Sequence, residues 1–80
     1  KGEVLWIPNF TLYGDCRHGR RPGYSAGAPV EAARAMFAQF CDLVSQETEN
    51  GRFGIFQANM RIHQSCCGPV TLLLDSQKAF

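Results

Sequence analysis

What this sequence lacks narrows its class first. No apolar run approaches the roughly 20 residues a helix needs to cross a bilayer, so no membrane span is expected. Charge of one sign is scarce: eight Lys and Arg against seven Asp and Glu leave a net +1. That balance argues against a partner recognised by bulk charge. There is no internal repeat and no low-complexity tract. With 45% hydrophobic and 19% charged residues the composition is that of a folded chain. No Cys-x-x-Cys pair occurs, so the common zinc knuckle is missing. No signal peptide is visible from Lys1 onward. Of the four cysteines, Cys66 and Cys67 are adjacent and Cys41 falls in a helical pattern. Such placement opposes a disulfide framework and leads us to expect reduced thiols in a cytoplasmic protein. At 80 residues the chain is a single domain at most, small enough that a partner or staple would have to complete its core.

What is present reads as a short α+β chain. The run Val4-Leu5-Trp6-Ile7 predicts a largely buried strand that ends at Pro8, with Asn9-Phe10-Thr11-Leu12 continuing extended. Residues 13–28 are rich in Gly and Arg and carry no amphipathic period, which predicts a long loop. Pro29 then opens a helix. Val30, Ala33, Phe37, Phe40 and Val44 form its apolar stripe, Glu31 sits in the first turn, and Asn50-Gly51 supplies the stop. Beyond Gly51 three further strands are expected, over 52–56, 58–65 and 69–75. Together these predict one long amphipathic helix packed on a mainly antiparallel sheet. So few strands leave sheet edges uncovered, which suggests either a dimer or half of a larger domain.

Four groups of residues could carry chemistry. Cys16-x-His18 and His63-x-x-Cys66-Cys67 offer enough ligands for tetrahedral zinc if they meet in space. Equally, Cys41 and Cys67 could be small buried hydrophobes and the histidines ordinary surface residues. A cysteine nucleophile would need a base, but along a strand His63 and Cys67 lie more than about 10 Å apart. The loop cations Arg17, His18, Arg20 and Arg21, followed by Tyr24, could track a phosphate backbone; they could also be solvated and paired with Asp15. Finally, Thr11 and Thr71 each stand at the edge of an apolar strand. There, unpaired backbone N–H groups can hold an oxyanion, although Thr is also an ordinary strand former.

The order of motifs resembles the D-aminoacyl-tRNA deacylase family, also called D-tyrosyl-tRNA deacylases. That family's Ser-Gln-Phe-Thr-Leu is matched by Pro8-Asn9-Phe10-Thr11-Leu12, and its Arg-Pro-Ser-Phe-Ser by Arg21-Pro22-Gly23-Tyr24-Ser25. A Pro-initiated helix follows. Gly-x-Phe-Gly-Ala-Asp-Met is matched by Gly54-Ile55-Phe56-Gln57-Ala58-Asn59-Met60, and Asn-x-Gly-Pro-x-Thr by Cys66-Cys67-Gly68-Pro69-Val70-Thr71.

The resemblance implies an ester hydrolase that removes D-amino acids, or glycine, from tRNA, working as a homodimer without metal or cofactor. It implies that residues 1–80 are one domain, the C-terminal part of a deacylase-like domain whose N-terminal half precedes the first motif. By the same resemblance Phe10 and Thr11 belong to the catalytic oxyanion region. Gly68 and Pro69, joined by a cis peptide bond, form a chiral gate entering the partner's pocket, with Thr71 supporting it and Met60 in the substrate site. Arg17, Arg20 and Arg21 would face the tRNA acceptor stem. Pro8-Asn9 stand where the family has Ser-Gln, and Cys66 where it has Asn. Two other readings remain open: an inactive relative that binds tRNA or protein, and a small zinc module.

Overall fold

Val4–Trp6 forms strand β1 in the computed structural model, which describes residues 2–79. A 3-10 turn over Phe10–Tyr13 follows, then helix α1 over Val30–Glu47 and strand β2 over Gly51–Phe53. The two strands pair in parallel with Val4, Leu5 and Trp6 opposite Gly51, Arg52 and Phe53. The backbone N–H of Val4 donating to Asn50 (3.1 Å) and that of Gly54 donating to Trp6 (2.8 Å) extend the ladder at either end. The helix lies between the strands in sequence and carries the chain back to its starting end, which makes the pairing parallel. The α+β class therefore holds, but the sheet is two-stranded and parallel rather than mainly antiparallel.

Other expectations change with it. Asn9–Leu12 is not extended, because Asn9 caps a turn instead. Helix α1 stops at Glu47, before the Asn-Gly pair. Thr48 takes an extended conformation and its N–H closes the last turn on Val44, 3.0 Å away. Thr48 is β-branched and half-buried, a combination that favours extended backbone over a further helical turn. Gly51 then begins β2 rather than ending the helix. No strand forms over 58–65 or 69–75 among the described residues. Leu72 and Leu74 are 78% and 90% exposed, not buried. A strand exists only when a neighbour accepts its ladder, and these segments have none.

The core is a half-buried aromatic cluster between α1 and the sheet. Trp6 meets Phe40 edge-on with centroids 5.0 Å apart; Phe37 stacks beside Phe40 at 6.4 Å and Phe56 at 6.2 Å. Ala33, Phe37, Cys41 and Val44 are the inward positions of α1, while Val30 is exposed. Arg34 reaches over the Phe56 ring, 5.0 Å from its centroid, and its guanidinium donates to Gln57 Oε1. Gln57 lies in the left-handed region at φ 64°, a conformation more easily adopted by the glycine of the motif it replaces. The radius of gyration, 14.7 Å, exceeds the roughly 12 Å of a compact chain this long, in keeping with the uncovered segment after Met60. No described helix is long and apolar enough to cross a membrane.

Candidate functional site

The end of β1 leads directly into the first motif. Pro8 has no N–H to continue the ladder, so the chain turns. Asn9 caps the turn: its Oδ1 accepts from the Thr11 N–H at 3.0 Å and from the Thr11 hydroxyl at 2.5 Å. A side-chain oxygen two residues ahead of the N–H it binds is the local signature of an Asx turn, which competes with a strand. Leu12 N–H donates to Asn9 and Gly14 N–H to Thr11, at 3.4 and 2.9 Å. Among the described residues Phe10 N–H donates to nothing, whereas Thr11 N–H is already engaged.

Aromatic packing fixes the turn against the loop that follows. Phe10 meets Tyr24 edge-on with centroids 5.7 Å apart. Tyr24 also lies across Gly14, where a Cβ would come within 2.9 Å of the ring, so only glycine permits that approach. Asp15 and Gly23 exchange backbone hydrogen bonds of 2.8 Å each and pinch residues 15–23 into a closed loop. An open groove of about 480 Å³ runs along this unit, lined in part by Leu12, Tyr13, Cys16 and Arg17.

The loop cations are not equivalent. Arg17 is clasped by Asp15 through Nε and a terminal nitrogen, both at 2.8 Å, and its backbone N–H donates to the same carboxylate at 3.0 Å. These bonds hold the Asp15 carboxyl at about 2, below its ordinary 3.8; the Arg17 side chain contributes most, then its backbone N–H. The same side-chain bond, with the carboxylate's charge, raises Arg17 above its ordinary value. Arg20 and Arg21 are exposed and make no ion pair among the described residues. Because the Asp15 value is depressed, the clasp contributes fully above the ordinary 3.8 and is lost as pH falls through about 2. A carbon-13 titration of the Asp15 carboxyl should have its midpoint near 2, and Arg17→Ala should return it toward 3.8.

Met60 is brought to the first motif: a Cβ on Gly54 would come within 2.9 Å of Met60 Sδ and 3.2 Å of Pro8 Cδ. Gly54 is therefore the contact between the strand end and the third motif. The last motif is not gathered in. Gly68 has open space where a Cβ would lie, and Pro69 and Thr71 are exposed. No described peptide bond is cis, so Gly68–Pro69 is trans, contrary to what the resemblance implied. Trans is the lower-energy isomer of an X–Pro bond, and no neighbouring contact opposes it here.

Two further readings need correction. Cys67 is exposed rather than a buried hydrophobe, while Cys41 is half-buried on α1. Among the described residues no three His, Cys, Asp or Glu side chains are grouped as ligands, so the two sequence clusters proposed for zinc do not converge. Sequence reasoning took Asn9 only as a departure from the family's Ser-Gln and not as a cap, although its place two residues before Thr11 was a visible capping signal. It also missed Arg34, which lies among helix-surface residues with nothing to mark its reach to Phe56.

These features coincide with a known sequence pattern. The chain belongs to the D-Tyr-tRNA(Tyr) deacylase family, whose sequence model matches residues 1–75. It is 49% identical over 79 residues to a D-aminoacyl-tRNA deacylase of Syntrophobacter fumaroxidans, covering 99% of this chain and 53% of that protein. The D-aminoacyl-tRNA deacylase of Thermotoga petrophila is 44% identical over the same coverage. That of Fervidobacterium nodosum is 49% identical across 100% of this chain and 54% of its own length. The chain thus spans about half the length of the curated relatives it matches.

Proposed function

We propose that this chain is the C-terminal part of a deacylase domain that hydrolyses the ester joining a D-amino acid to the terminal ribose of tRNA. Water adds to the ester carbonyl, and the collapsing adduct releases the free D-amino acid and the ribose hydroxyl. The observation that carries this reading is the Phe10 N–H, which has no acceptor among the described residues, on an Asn9-capped turn whose far end, at Leu12 and Tyr13, lines an open groove. A preorganised backbone donor of this kind stabilises a developing oxyanion without a charged side chain. Thr11 lines the same turn, and Met60 lies close to its leading residue, Pro8.

In this proposal the domain acts as a cytoplasmic homodimer, and Gly68 and Pro69, supported by Thr71, screen chirality in the partner's pocket. Arg20 and Arg21, which make no ion pair among the described residues, contact acceptor-stem phosphates, and Arg17 orients the loop through Asp15. Release of D-Tyr from D-Tyr-tRNA, with L-Tyr-tRNA spared, is the direct test; equal turnover of both would refute the stereochemical reading. Sedimentation at increasing concentration tests the dimer.

Arg20→Ala and Arg21→Ala together should weaken tRNA binding and reduce the slope of log affinity against log salt by about 1.5. An unchanged slope would remove the loop from the interface. A second reading, a relative that binds tRNA without hydrolysis, is favoured by the engagement of Thr11 N–H with Asn9, which leaves one free donor where two are useful. Retained tRNA binding with no release of D-Tyr would select it.

A further inference from the structure

Cys66 and Cys67 are adjacent, free and exposed, and no step of ester hydrolysis uses a thiol. They lie within residues 59–74. Among the described residues this stretch makes no backbone–backbone hydrogen bond, so no ladder holds the peptide between the two cysteines in one conformation. The next residue, Gly68, sits at φ 57° with open space around it. We propose that Cys66 and Cys67 form a reversible vicinal disulfide, a redox modification site immediately ahead of Gly68–Pro69, with a low-molecular-weight disulfide as oxidant.

Covalent geometry explains why this segment can close the bond and why the bond reopens. Neighbouring Cα atoms are about 3.8 Å apart, whereas ordinary disulfides join Cα atoms about 4.4–6.8 Å apart. Closing the ring therefore requires the intervening peptide to twist. In a hydrogen-bonded strand that twist would break the ladder; here it breaks no backbone–backbone hydrogen bond among the described residues. The same misfit makes the product readily reduced, a switch rather than a staple. Once one thiol has reacted, its neighbour is the nearest nucleophile, with the advantage of an intramolecular reaction. Cys41 is half-buried on α1 and Cys16 lies 50 positions earlier in the chain, whereas the two thiols of the pair are joined by a single peptide unit.

The exchange balances with glutathione disulfide. One protein thiolate attacks a sulfur of the oxidant, the S–S bond breaks, and one glutathione thiolate leaves with the electron pair. The second protein thiolate then attacks the protein sulfur of the mixed disulfide and expels the other glutathione thiolate. The two cysteines lose two electrons and two protons, which appear on two molecules of glutathione. The site itself does not depend on the deacylase reading; its effect on the gate rests on that reading.

The test is to equilibrate the 80-residue chain with glutathione buffers, block free thiols with iodoacetamide, and map the products by mass. The unmodified chain and a Cys16→Ser, Cys41→Ser double variant should each lose two hydrogens. Both losses should fall in the peptide holding residues 66–67, at a rate independent of protein concentration. Cys66→Ser and Cys67→Ser should each stop at a glutathione adduct. A doubly alkylated 66–67 peptide, or a stable mixed disulfide at Cys66 or Cys67 in the Cys16→Ser, Cys41→Ser variant, would overturn the site. Mapping needs no turnover, so it decides the disulfide even if hydrolysis is absent. Where the reduced chain hydrolyses D-Tyr-tRNA, oxidation should slow it roughly 10–100-fold, with recovery on adding dithiothreitol. An unchanged rate after complete oxidation would overturn the coupling to Gly68–Pro69.

Discussion

On the proposed deacylase reading, Thr11→Ala should lower kcat/KM for D-Tyr-tRNA by about 100-fold while leaving the chain folded. The hydroxyl of Thr11 and its backbone N–H converge on one oxygen, Asn9 Oδ1. That pair of bonds sets the direction in which the turn presents Phe10 N–H. Removing the hydroxyl leaves the N–H bond in place and costs about 1 kcal/mol, since both partners are exposed. Against the roughly 3–5 kcal/mol that a single core supplies in a chain of this size, such a loss unfolds a small fraction of molecules. A hundredfold fall would therefore report on positioning rather than folding. Thr11→Ser, which keeps the hydroxyl, should recover most of the rate. Wild-type kcat/KM in Thr11→Ala would take Thr11 out of the site.

Phe37→Ala carries the largest expected loss of stability, about 2–3 kcal/mol. Phenylalanine truncation in a full core costs about 3–5 kcal/mol, and Phe37 is only half-buried. It nevertheless joins α1 to the segment after β2, stacking on Phe56 as well as lying beside Phe40, the ring that meets Trp6 of β1. A cut of that size removes half or more of the stability expected for a small domain. Urea denaturation followed by circular dichroism should show a much lower midpoint, or a chain already unfolded without denaturant. Val30→Ala, at an exposed position on the same helix, should change stability by no more than about 0.5 kcal/mol. Equal effects at the two positions would mean that the aromatic cluster is not what holds α1 in place.

Helix α1 was legible because its pattern is local. Apolar residues recurring at three and four positions mark one face whatever the helix packs against, and Pro29 marks its start. The end was less legible, since Thr48 stops the helix through its packing while Asn50-Gly51 supplied a louder but unused signal. Strand β1 was likewise visible in an apolar run ending at Pro8, although it is half-buried with Leu5 exposed, and the loop expected over 13–28 in a glycine-rich stretch without period, although Tyr13 belongs to the 3-10 turn.

The sheet was misjudged for the opposite reason. Pairing direction depends on which strands become neighbours, and the alternation in residues 58–65 looks the same whether or not a partner exists. Val70, Leu72 and Leu74 have the composition of a buried strand, yet no ladder forms around them and they stand exposed. At the site the residue types and their order were readable in the motifs, which sufficed to place the chain in its family.

By itself, then, the sequence determined the helix, the family and the identity of the residues that could carry chemistry, since each depends on residue type and spacing along the chain. Only the tertiary structure decided that β1 and β2 pair in parallel and which of the local pairings open to the chain, Asn9 with Thr11 among them, forms. It alone showed that, among the described residues, Asp15 holds Arg17 while Arg20 and Arg21 make no ion pair, and that the cysteine pair sits in unladdered backbone. Each of these is set by which groups meet across a turn or between segments, and side-chain spacing along the chain does not encode that meeting.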